Sequence, residues 1–398
     1  MSSRGLVLRK YDRGLLIVGI LFIAINLRPA LASVGPLVSS IRMSTGLSNS
    51  ALGLLTTLPL IAFGVMSTLT SLFTRRYGIA RTLAAAMLIL TTGILLRTID
   101  SIASLFVGTV LVGVAIAFGN VLLPSLVKGN FEKRSGAMTS MYSSVMGLGA
   151  AIGAGVSLPI AYYLESGWRG SLGVWAILSF TAFLIWLPQL RRLPRLPQRG
   201  GYFRSMRQLT GSALAWKIAV FMGIQSLTFY VILAWLPDIL QSKGYDSVTA
   251  GWMLSLSQAM GVVGAVAFPL VAGKKDDQRS AVLFLLVLEA ISLIGLMMPS
   301  SSHWVFAWIS LLGFVLGGSF GLALLFIVLR SSDTDGATEL SGMSQSIGYF
   351  LAAIGPIVFG LLYDLTNDWN YPLGLLFLLI FVKIYVGLGA ASQGTVTR

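Results

Sequence analysis

The sequence predicts an all-α integral membrane protein with twelve transmembrane helices in two pseudo-symmetric six-helix bundles. Three observations lead to this fold class: an excess of apolar residues, twelve apolar segments long enough to cross a bilayer, and a weak repeat of the first half of the chain in the second. Of the 398 residues, 56% are hydrophobic and 11% are charged, against about 25% charged residues in soluble domains. The mean hydropathy of +0.84 leaves too little polar surface for a water-soluble particle.

The composition also excludes several kinds of chemistry. The chain has no cysteine, and its one histidine is His303, so thiolate and multi-histidine metal sites are excluded. Gly273, Lys274 and Lys275 lack the upstream glycine and the hydroxyl of a phosphate-binding loop, which argues against an ATP-driven pump. No nucleophile–base pair is evident at membrane depth. We therefore expect a protein that is not an enzyme and that has neither cofactor nor metal.

Twelve segments have the length and character of membrane spans. A spanning helix needs about 20 mainly apolar residues, because backbone polar groups inside the bilayer must be satisfied within the helix. The first segment follows a basic start directly, without a cleavable signal. The segments are residues 14–40, 47–74, 79–97, 102–128, 135–164, 169–189, 214–241, 247–273, 279–298, 302–330, 336–363 and 369–390.

The basic residues predict the orientation of these spans. With a cytoplasmic N-terminus, 22 of the 28 Lys and Arg residues fall in cytoplasmic segments, and only Arg42, Arg97, Arg169 and Lys243 lie outside. Lys and Arg are enriched in the cytoplasmic loops of membrane proteins. We therefore expect a multi-pass protein of a bacterial-type cell membrane, with both termini cytoplasmic. The net charge of +14 is then a signal of topology and does not indicate nucleic acid as a partner.

The second half of the chain echoes the first. Residues 150–153 and 352–355 both read AAIG, at an offset of 202, and an offset close to this aligns further pairs along the chain. These pairs are Pro36 with Pro237, Gly53 with Gly251, Arg81 with Arg279, and Trp168 with Trp369. We predict an N-terminal bundle over 1–190, a basic cytoplasmic linker over 191–213 and a C-terminal bundle over 214–398, in a monomer.

Three ionisable residues lie at membrane depth in this arrangement: Arg28, Glu289 and Lys383. Burying a charge in a bilayer costs at least about 2.5 kcal/mol, so each of them is a candidate functional group. Lys383 lies near the cytoplasmic end of the last span, and we expect it to extend to the membrane surface. Glu289 lies in the middle of the ninth span, where it is a candidate for proton coupling, for pairing with a polar neighbour, or for simple burial as a neutral acid.

Arg28 lies near the middle of the first span, roughly 20 Å from either end at ~1.5 Å per residue. That distance is beyond the reach of its side chain to the surface, so the guanidinium must face protein or a wet cavity. Pro29 cannot donate a backbone hydrogen bond, which leaves the Ile25 carbonyl as an extra polar group for this cavity. A planar group with five donors suits a carboxylate, a nitro group or another small anion. The competing interpretation is a structural arginine held by backbone carbonyls.

Other polar residues at mid-depth complete the predicted substrate site. No carboxylate lies at this depth on the spans expected to line the cavity, so the site should be electropositive and favour anions or polar neutral solutes. Each amide or phenol alone is equally well explained as a bridge between helices. The predicted substrate-binding residues are Arg28, Asn26, Asn120, Tyr142, Gln225, Phe229, Gln258, Gln345 and Tyr349, with aromatic walls from Phe118, Tyr230 and Trp235 as well.

Twelve spans with a 6+6 repeat resemble the architecture of the major facilitator superfamily. Residues 26–37, NLRPALASVGPL, resemble the first-span signature of the cyanate/nitroimidazole transporter family (CynX/NimT) within it. The similarity continues through TTLPL at 56–60, LPSLVK at 123–128, LAWLPDIL at 233–240, SQAMG at 257–261 and LGGSFGLALL at 316–325. This resemblance implies secondary transport of small solutes such as cyanate-like anions or 2-nitroimidazole, with Asn26 and Arg28 lining the site.

One superfamily motif departs from its usual pattern. The loop between the second and third spans resembles G-x-x-x-D-R-x-G-x-R, but the aspartate position here is Arg75, followed by Arg76 and Gly78. We therefore expect the usual latch between a carboxylate and a helix end to be missing or rebuilt.

The leading hypothesis is a secondary active or facilitative transporter for a small anion or planar polar compound. Its partners are then the solute, the lipid bilayer and, as a further candidate, protons. The second hypothesis is a broad-specificity drug exporter of the same superfamily. Such exporters often carry Gly-Pro in the fifth span, whereas here Gly153 precedes Ala154 and the Gly355–Pro356 pair lies in the eleventh. A membrane-embedded enzyme or a sensor is a third, less favoured class.

Overall fold

The computed structural model describes residues 10–47, 49–193, 207–298 and 302–396, most of which are helical. The greater part of the predicted linker, residues 194–206, lies outside the described residues. The described helices include eleven continuous apolar stretches long enough to cross a membrane. One of these stretches, Ile102–Tyr163, contains both the fourth and the fifth span, so the chain has the twelve spans that the sequence predicts.

The helices follow the predicted segments closely, and only the first and sixth spans are interrupted. The first span consists of Lys10–Asn26, Pro29–Ala32 and Val34–Thr45, and the sixth of Gly167–Gly173 and Trp175–Trp186. The others are, in order, Asn49–Tyr77, Ile79–Leu96, Ile102–Phe131, Ser135–Tyr163, Ala213–Ser242, Ser247–Ala272, Arg279–Met297, Ser302–Arg330, Thr334–Thr366 and Asn370–Ala391. We call the side of the bundle at which the first span begins and the twelfth ends the base, and the opposite side the top.

The packing of the first six spans is repeated in the second six. The first span packs on the fifth and sixth, the second on the fourth, and the third on the fourth and sixth; the seventh to twelfth spans repeat all of these pairs.

The AAIG repeat has the same role in both halves. A Cβ on Gly153 would lie 2.7 Å from the Pro29 Cα of the first span, and one on Gly355 would lie 3.0 Å from the Leu227 side chain of the seventh. These glycines therefore allow the close helix approach that small residues give in membranes.

The two halves contact each other over the base of the molecule. The second and fourth spans meet the eleventh, and the fifth meets the eighth. The Ser346 hydroxyl donates to the Gly64 carbonyl at 2.5 Å, and the Thr338 and Ser125 hydroxyls lie 2.9 Å apart. Between the fifth and eighth spans, also on the base side, the Ser140 hydroxyl donates to the Val266 carbonyl at 2.9 Å. All these contacts lie on the base side of mid-depth, so the halves are closed there.

Glu289 and Lys383 form an ion pair that joins the ninth and twelfth spans. The Lys383 ammonium lies 2.7 Å and 2.6 Å from the two carboxylate oxygens, and both side chains are 0% exposed. The prediction that Lys383 extends to the membrane surface is therefore wrong. Its side chain turns inward because a carboxylate lies within reach in the neighbouring helix, and a paired ammonium costs less to bury than a lone one.

Removing one member of this pair should destabilise the fold more than removing both. Lys383→Met leaves a buried carboxylate without a partner and should lower the free energy of unfolding by about 3–5 kcal/mol, whereas Glu289→Met/Lys383→Met should recover most of that loss. Thermal unfolding of the purified proteins in detergent measures both changes. Equal loss in the single and double variants would contradict a paired, buried interaction.

Candidate substrate site

The first span is broken at the position that brings Arg28 to the centre of the molecule. Leu27 and Arg28 form a turn between two helical segments, and Pro29 begins the next segment at its favoured first position. The Arg28 carbonyl accepts the Leu31 and Ala32 amides at 3.1 Å and 2.9 Å. The break thus has a local cause in the Arg-Pro sequence, because proline cannot continue the hydrogen bonding of the preceding helix.

Arg28 lines a central cavity of about 100 Å³ between the two halves. Most of the wall comes from the seventh, eighth and tenth spans, and the rest comes from Arg28, the fifth span and Tyr349 of the eleventh. Arg28 lies at the break in the first span, and the other lining residues lie in the central parts of their helices. The lining residues are Arg28, Ser143, Met146, Gly147, Ala150, Gln225, Ser226, Phe229, Tyr230, Ser257, Gln258, Gly261, Val262, Ala265, Gly313, Leu316, Gly317, Phe320 and Tyr349.

The Arg28 guanidinium is half-buried and has no ion pair with any described carboxylate. Its Cζ lies 5.5 Å from the centroid of the Phe320 ring, within the range of a cation–π interaction. Its polar neighbours include the phenols of Tyr230 and Tyr349, which line the same cavity. Phenols and an aromatic face do not neutralise a full positive charge. The cavity therefore has a net positive potential.

The structure brings together five of the nine predicted substrate-binding residues. Arg28, Gln225, Phe229, Gln258 and Tyr349 all line the cavity, as does the predicted aromatic neighbour Tyr230. The Gln225 amide nitrogen donates to the Ser226 hydroxyl at 2.7 Å, which holds that side chain against its own helix.

The other four predicted residues are among the described residues but do not line the cavity. The Asn26 amide donates to the Phe22 and Leu178 carbonyls at 2.7 Å and 3.3 Å, so it joins the first span to the sixth. The Asn120 amide donates to the Tyr349 hydroxyl at 2.7 Å, from behind the cavity wall. Tyr142 and Gln345 are buried on its base side, where the Tyr142 hydroxyl and the Gln345 amide nitrogen have no hydrogen-bond partner in the described structure.

Helix packing explains other departures from the sequence prediction. The Ile25 carbonyl faces Gly149 of the fifth span, where an added Cβ would lie 2.6 Å away, and Ile25 does not line the cavity. Phe118 packs on Phe73, with ring centroids 5.2 Å apart. The Trp235 indole donates to the Pro356 carbonyl at 2.8 Å. These groups do not line the cavity because a neighbouring helix occupies the space that they face.

Sequence reasoning missed Phe320, the small residues of the wall and Arg97. Phe320 lies within the LGGSFG run, whose glycines admit the close approach of the eighth span and leave room for the cavity. Arg97 is predicted at the outer end of the third span, but it is 1% exposed and donates to the Ala30 carbonyl at 2.7 Å, beside the break in the first span. The sequence feature that indicates the burial of Arg97 is its position directly after an apolar helix.

An ion pair at the base involves Arg75, at the position where the sequence predicts the usual latch to be missing or rebuilt. Arg75 of the second span lies 2.5 Å from a carboxylate oxygen of Glu339 in the eleventh span, and Glu339 is 4% exposed. The usual pattern places the carboxylate in the first half. Here the signs are exchanged: the first half supplies the arginine and the second half supplies the acid. The pair crosses between the halves, so separation of the base must break it.

Comparison with known proteins identifies the class of this fold and site. The family model described as Major Facilitator Superfamily matches residues 15–356. The chain belongs to the major facilitator superfamily. Two solved structures agree in fold: the proton:xylose symporter XylE, with a TM-score of 0.80 at 11% identity over 97% of each chain, and the transporter FucP, with a TM-score of 0.78 at 12% identity over 97% of this chain and 100% of that one.

Within the superfamily, the chain belongs with the cyanate and nitroimidazole transporters (CynX/NimT). It is 39% identical to the 2-nitroimidazole transporter of Escherichia coli, over 94% of this chain and 95% of that one. It is 26% identical to the cyanate transport protein CynX of the same organism, over 88% and 92%. It is also 44% identical to the uncharacterized transporter YycB of Bacillus subtilis, over 95% and 92%.

Proposed function

We propose that this protein is a secondary active or facilitative transporter that moves a small anion or planar polar compound through the cytoplasmic membrane, with Arg28 as the substrate anchor. The observation that carries this proposal is a half-buried guanidinium, unpaired among the described residues, in a cavity near mid-depth. An isolated charge in such a place is costly to maintain. A solute with negative charge or strong acceptors supplies the missing partner, and the names of the curated relatives include such solutes.

The size of the cavity favours this proposal over a broad-specificity drug exporter. Pockets for drug-sized ligands have volumes of about 300–1,000 Å³. The central cavity of about 100 Å³ is suited to a solute of only a few heavy atoms. Its single cation also disfavours the lipophilic cations that many drug exporters carry. We infer transport without chemical conversion, since the lining residues contain neither a carboxylate nor a histidine to act as a general acid or base.

The proposed mechanism is alternating access by two bundles, 1–190 and 214–398, joined by the linker 191–213, in a monomer with both termini cytoplasmic. The base contacts hold the halves together on one side of the cavity, and the Arg75–Glu339 pair is the charged contact among them. Opening of the base would break this pair and expose the inner spans to the cytoplasm. Proton coupling through Glu289 would require displacement of Lys383 in a site outside the cavity, so exchange or facilitated diffusion fits these residues more simply.

Loss of the Arg28 side chain should abolish substrate binding while the fold is kept. We expect a small planar anion or 2-nitroimidazole, at about 100 times its Kd, to stabilise the wild type by about 2.7 kcal/mol. Arg28→Gln should lose this stabilisation, and Arg28→Lys should keep only part of it, because lysine lacks the planar fork. Thermal unfolding with cyanate, nitrate, small carboxylates, 2-nitroimidazole and lipophilic cations measures the effect.

The matched control for this experiment is Arg81→Gln, which removes an exposed arginine at the start of the third span. Its response to ligands should equal that of the wild type. If lipophilic cations stabilise the wild type and Arg28→Gln equally, the anchor and the substrate class are both wrong.

Breaking the latch at the base should open the protein to the cytoplasm. The chain has no native cysteine, so a Ser341→Cys reporter, buried on the eleventh span between Thr338 and Gly342, gives a clean accessibility signal. Glu339→Gln should speed labelling by a membrane-impermeant maleimide more than tenfold, since a hydrogen bond between charged groups contributes about 1.5–3 kcal/mol.

Two controls separate opening of the base from general loosening. The exchanged pair Arg75→Glu/Glu339→Arg should return labelling at position 341 towards the wild-type rate. A Ser292→Cys reporter in the ninth span, buried and away from the base contacts, should remain unlabelled throughout. Labelling at 341 that does not respond to Glu339→Gln would contradict the role of this pair.

A further inference from the structure

The hydrogen bond between Asn120 and Tyr349 connects the cavity wall to the opposite half of the protein. Asn120 lies in the fourth span and Tyr349 in the eleventh, and the amide nitrogen donates to the phenol oxygen at 2.7 Å. Both side chains are buried, but only Tyr349 lines the cavity. The Tyr349 ring also packs on Phe63 of the second span, with ring centroids 4.6 Å apart. The phenol is thus held in place by two helices of the first half.

The direction of this bond determines what Tyr349 offers to a solute. A phenol has one hydrogen and can both donate and accept. When its oxygen accepts the Asn120 amide, its hydrogen stays available for another partner. Tyr230 lines the same cavity as Arg28, and because Arg28 has donors only, a hydrogen bond between them would use the phenol oxygen and leave its hydrogen available. Arg28, Tyr230 and Tyr349 then present hydrogens to the same cavity.

We propose that Asn120 is a positioning residue that commits the Tyr349 hydroxyl to the cavity as a donor, so that the site selects solutes by their acceptor atoms. This inference rests on the proposed function, because it assigns the chemistry by which the Arg28 site recognises its substrate. The substrate class is a small solute with two or more acceptors close together, such as a carboxylate, a nitro group or a cyanate ion. A solute that brings only donors, such as an ammonium ion, leaves these hydrogens unpaired.

The Asn120–Tyr349 hydrogen bond also makes the hydrogen-bond donors that face the cavity depend on whether the base is open or closed. It joins the fourth and eleventh spans behind the cavity, and the same two spans also meet nearer the base, through Thr338 and Ser125. Separation of the fourth and eleventh spans would remove the donor that holds the Tyr349 oxygen. Tyr349 would then be free to turn its hydrogen away from the solute. Substrate binding therefore favours the closed base, and opening of the base weakens the site.

Single and double variants test the positioning role. Tyr349→Phe should weaken binding of cyanate and of 2-nitroimidazole about tenfold, as expected for one lost hydrogen bond. Asn120→Leu should weaken both by a smaller factor, about three- to fivefold, because the hydroxyl remains but is no longer oriented. Asn120→Leu/Tyr349→Phe should be no weaker than Tyr349→Phe, since Asn120 acts only through that hydroxyl.

The controls remove the same groups from the same helices. The control for Tyr349→Phe is Tyr363→Phe. Tyr363 lies on the same eleventh span, 14 residues and about 21 Å along the helix from Tyr349. Asn130→Leu lies on the fourth span, where the Asn130 amide donates to its own helix at Leu126. Both should bind the two probes as the wild type does. Thermal unfolding without ligand checks that every variant is folded.

The sign of the Asn120→Leu effect decides between the two directions of the hydrogen bond. If Asn120 accepted the Tyr349 hydrogen, Asn120→Leu would release that hydrogen and binding would become tighter, which would overturn the proposal. Equal, additive losses in the single variants would also overturn it. Failure of the proposed function gives a different result, in which Arg28→Gln still binds both probes.

A second readout separates positioning from a merely structural role. In the wild type, cyanate should slow maleimide labelling of the Ser341→Cys reporter, because the bound anion favours the closed base. With Asn120→Leu this protection should be lost even at cyanate concentrations that saturate the site. Protection that persists at saturation would show that the conformation does not depend on this bond.

Discussion

An arginine without a described carboxylate partner, held near mid-depth, is the constraint on which the rest of this structure depends. The Arg-Pro sequence breaks the first span, and the break aims the guanidinium at the interface between the halves. Glycines of the fifth, eighth and tenth spans allow these helices to close around it. The surrounding phenols and Phe320 moderate the charge without cancelling it. The cavity is small and electropositive for this reason.

A charge buried in the transmembrane region needs a compensating partner. The three ionisable residues at membrane depth differ in where that partner comes from. Glu289 and Lys383 neutralise each other inside the second half, away from the cavity, and so stabilise the packing of the ninth and twelfth spans. Arg28 has no such partner among the described residues, and its charge is available to a solute. The Arg75–Glu339 pair differs from both, because its two members belong to different halves. This ion pair can therefore exist only while the base is closed.

The sequence predicted the fold well because apolar length, basic loops and the AAIG repeat each report on the bilayer or on duplication. It predicted Arg28 for the same reason, since a charge far from both ends of a span must face a polar place. It predicted the amides and phenols less well. Asn26 and Asn120 lie at the right depth but face other helices, and the rotation of a helix about its axis is set by packing between spans. Lys383 was misplaced because its partner lies 94 residues away along the chain.

The central claim is that a small anion binds at Arg28, and locating such an anion tests it most directly. Selenocyanate has the shape and charge of cyanate and carries a heavy atom that gives anomalous scattering. A crystal structure of the protein with selenocyanate should show one anomalous peak in the central cavity, between the Arg28 guanidinium and the Tyr349 hydroxyl. The peak should be missing from crystals of Arg28→Gln. A peak elsewhere in the transmembrane region, unchanged by that substitution, would contradict the account.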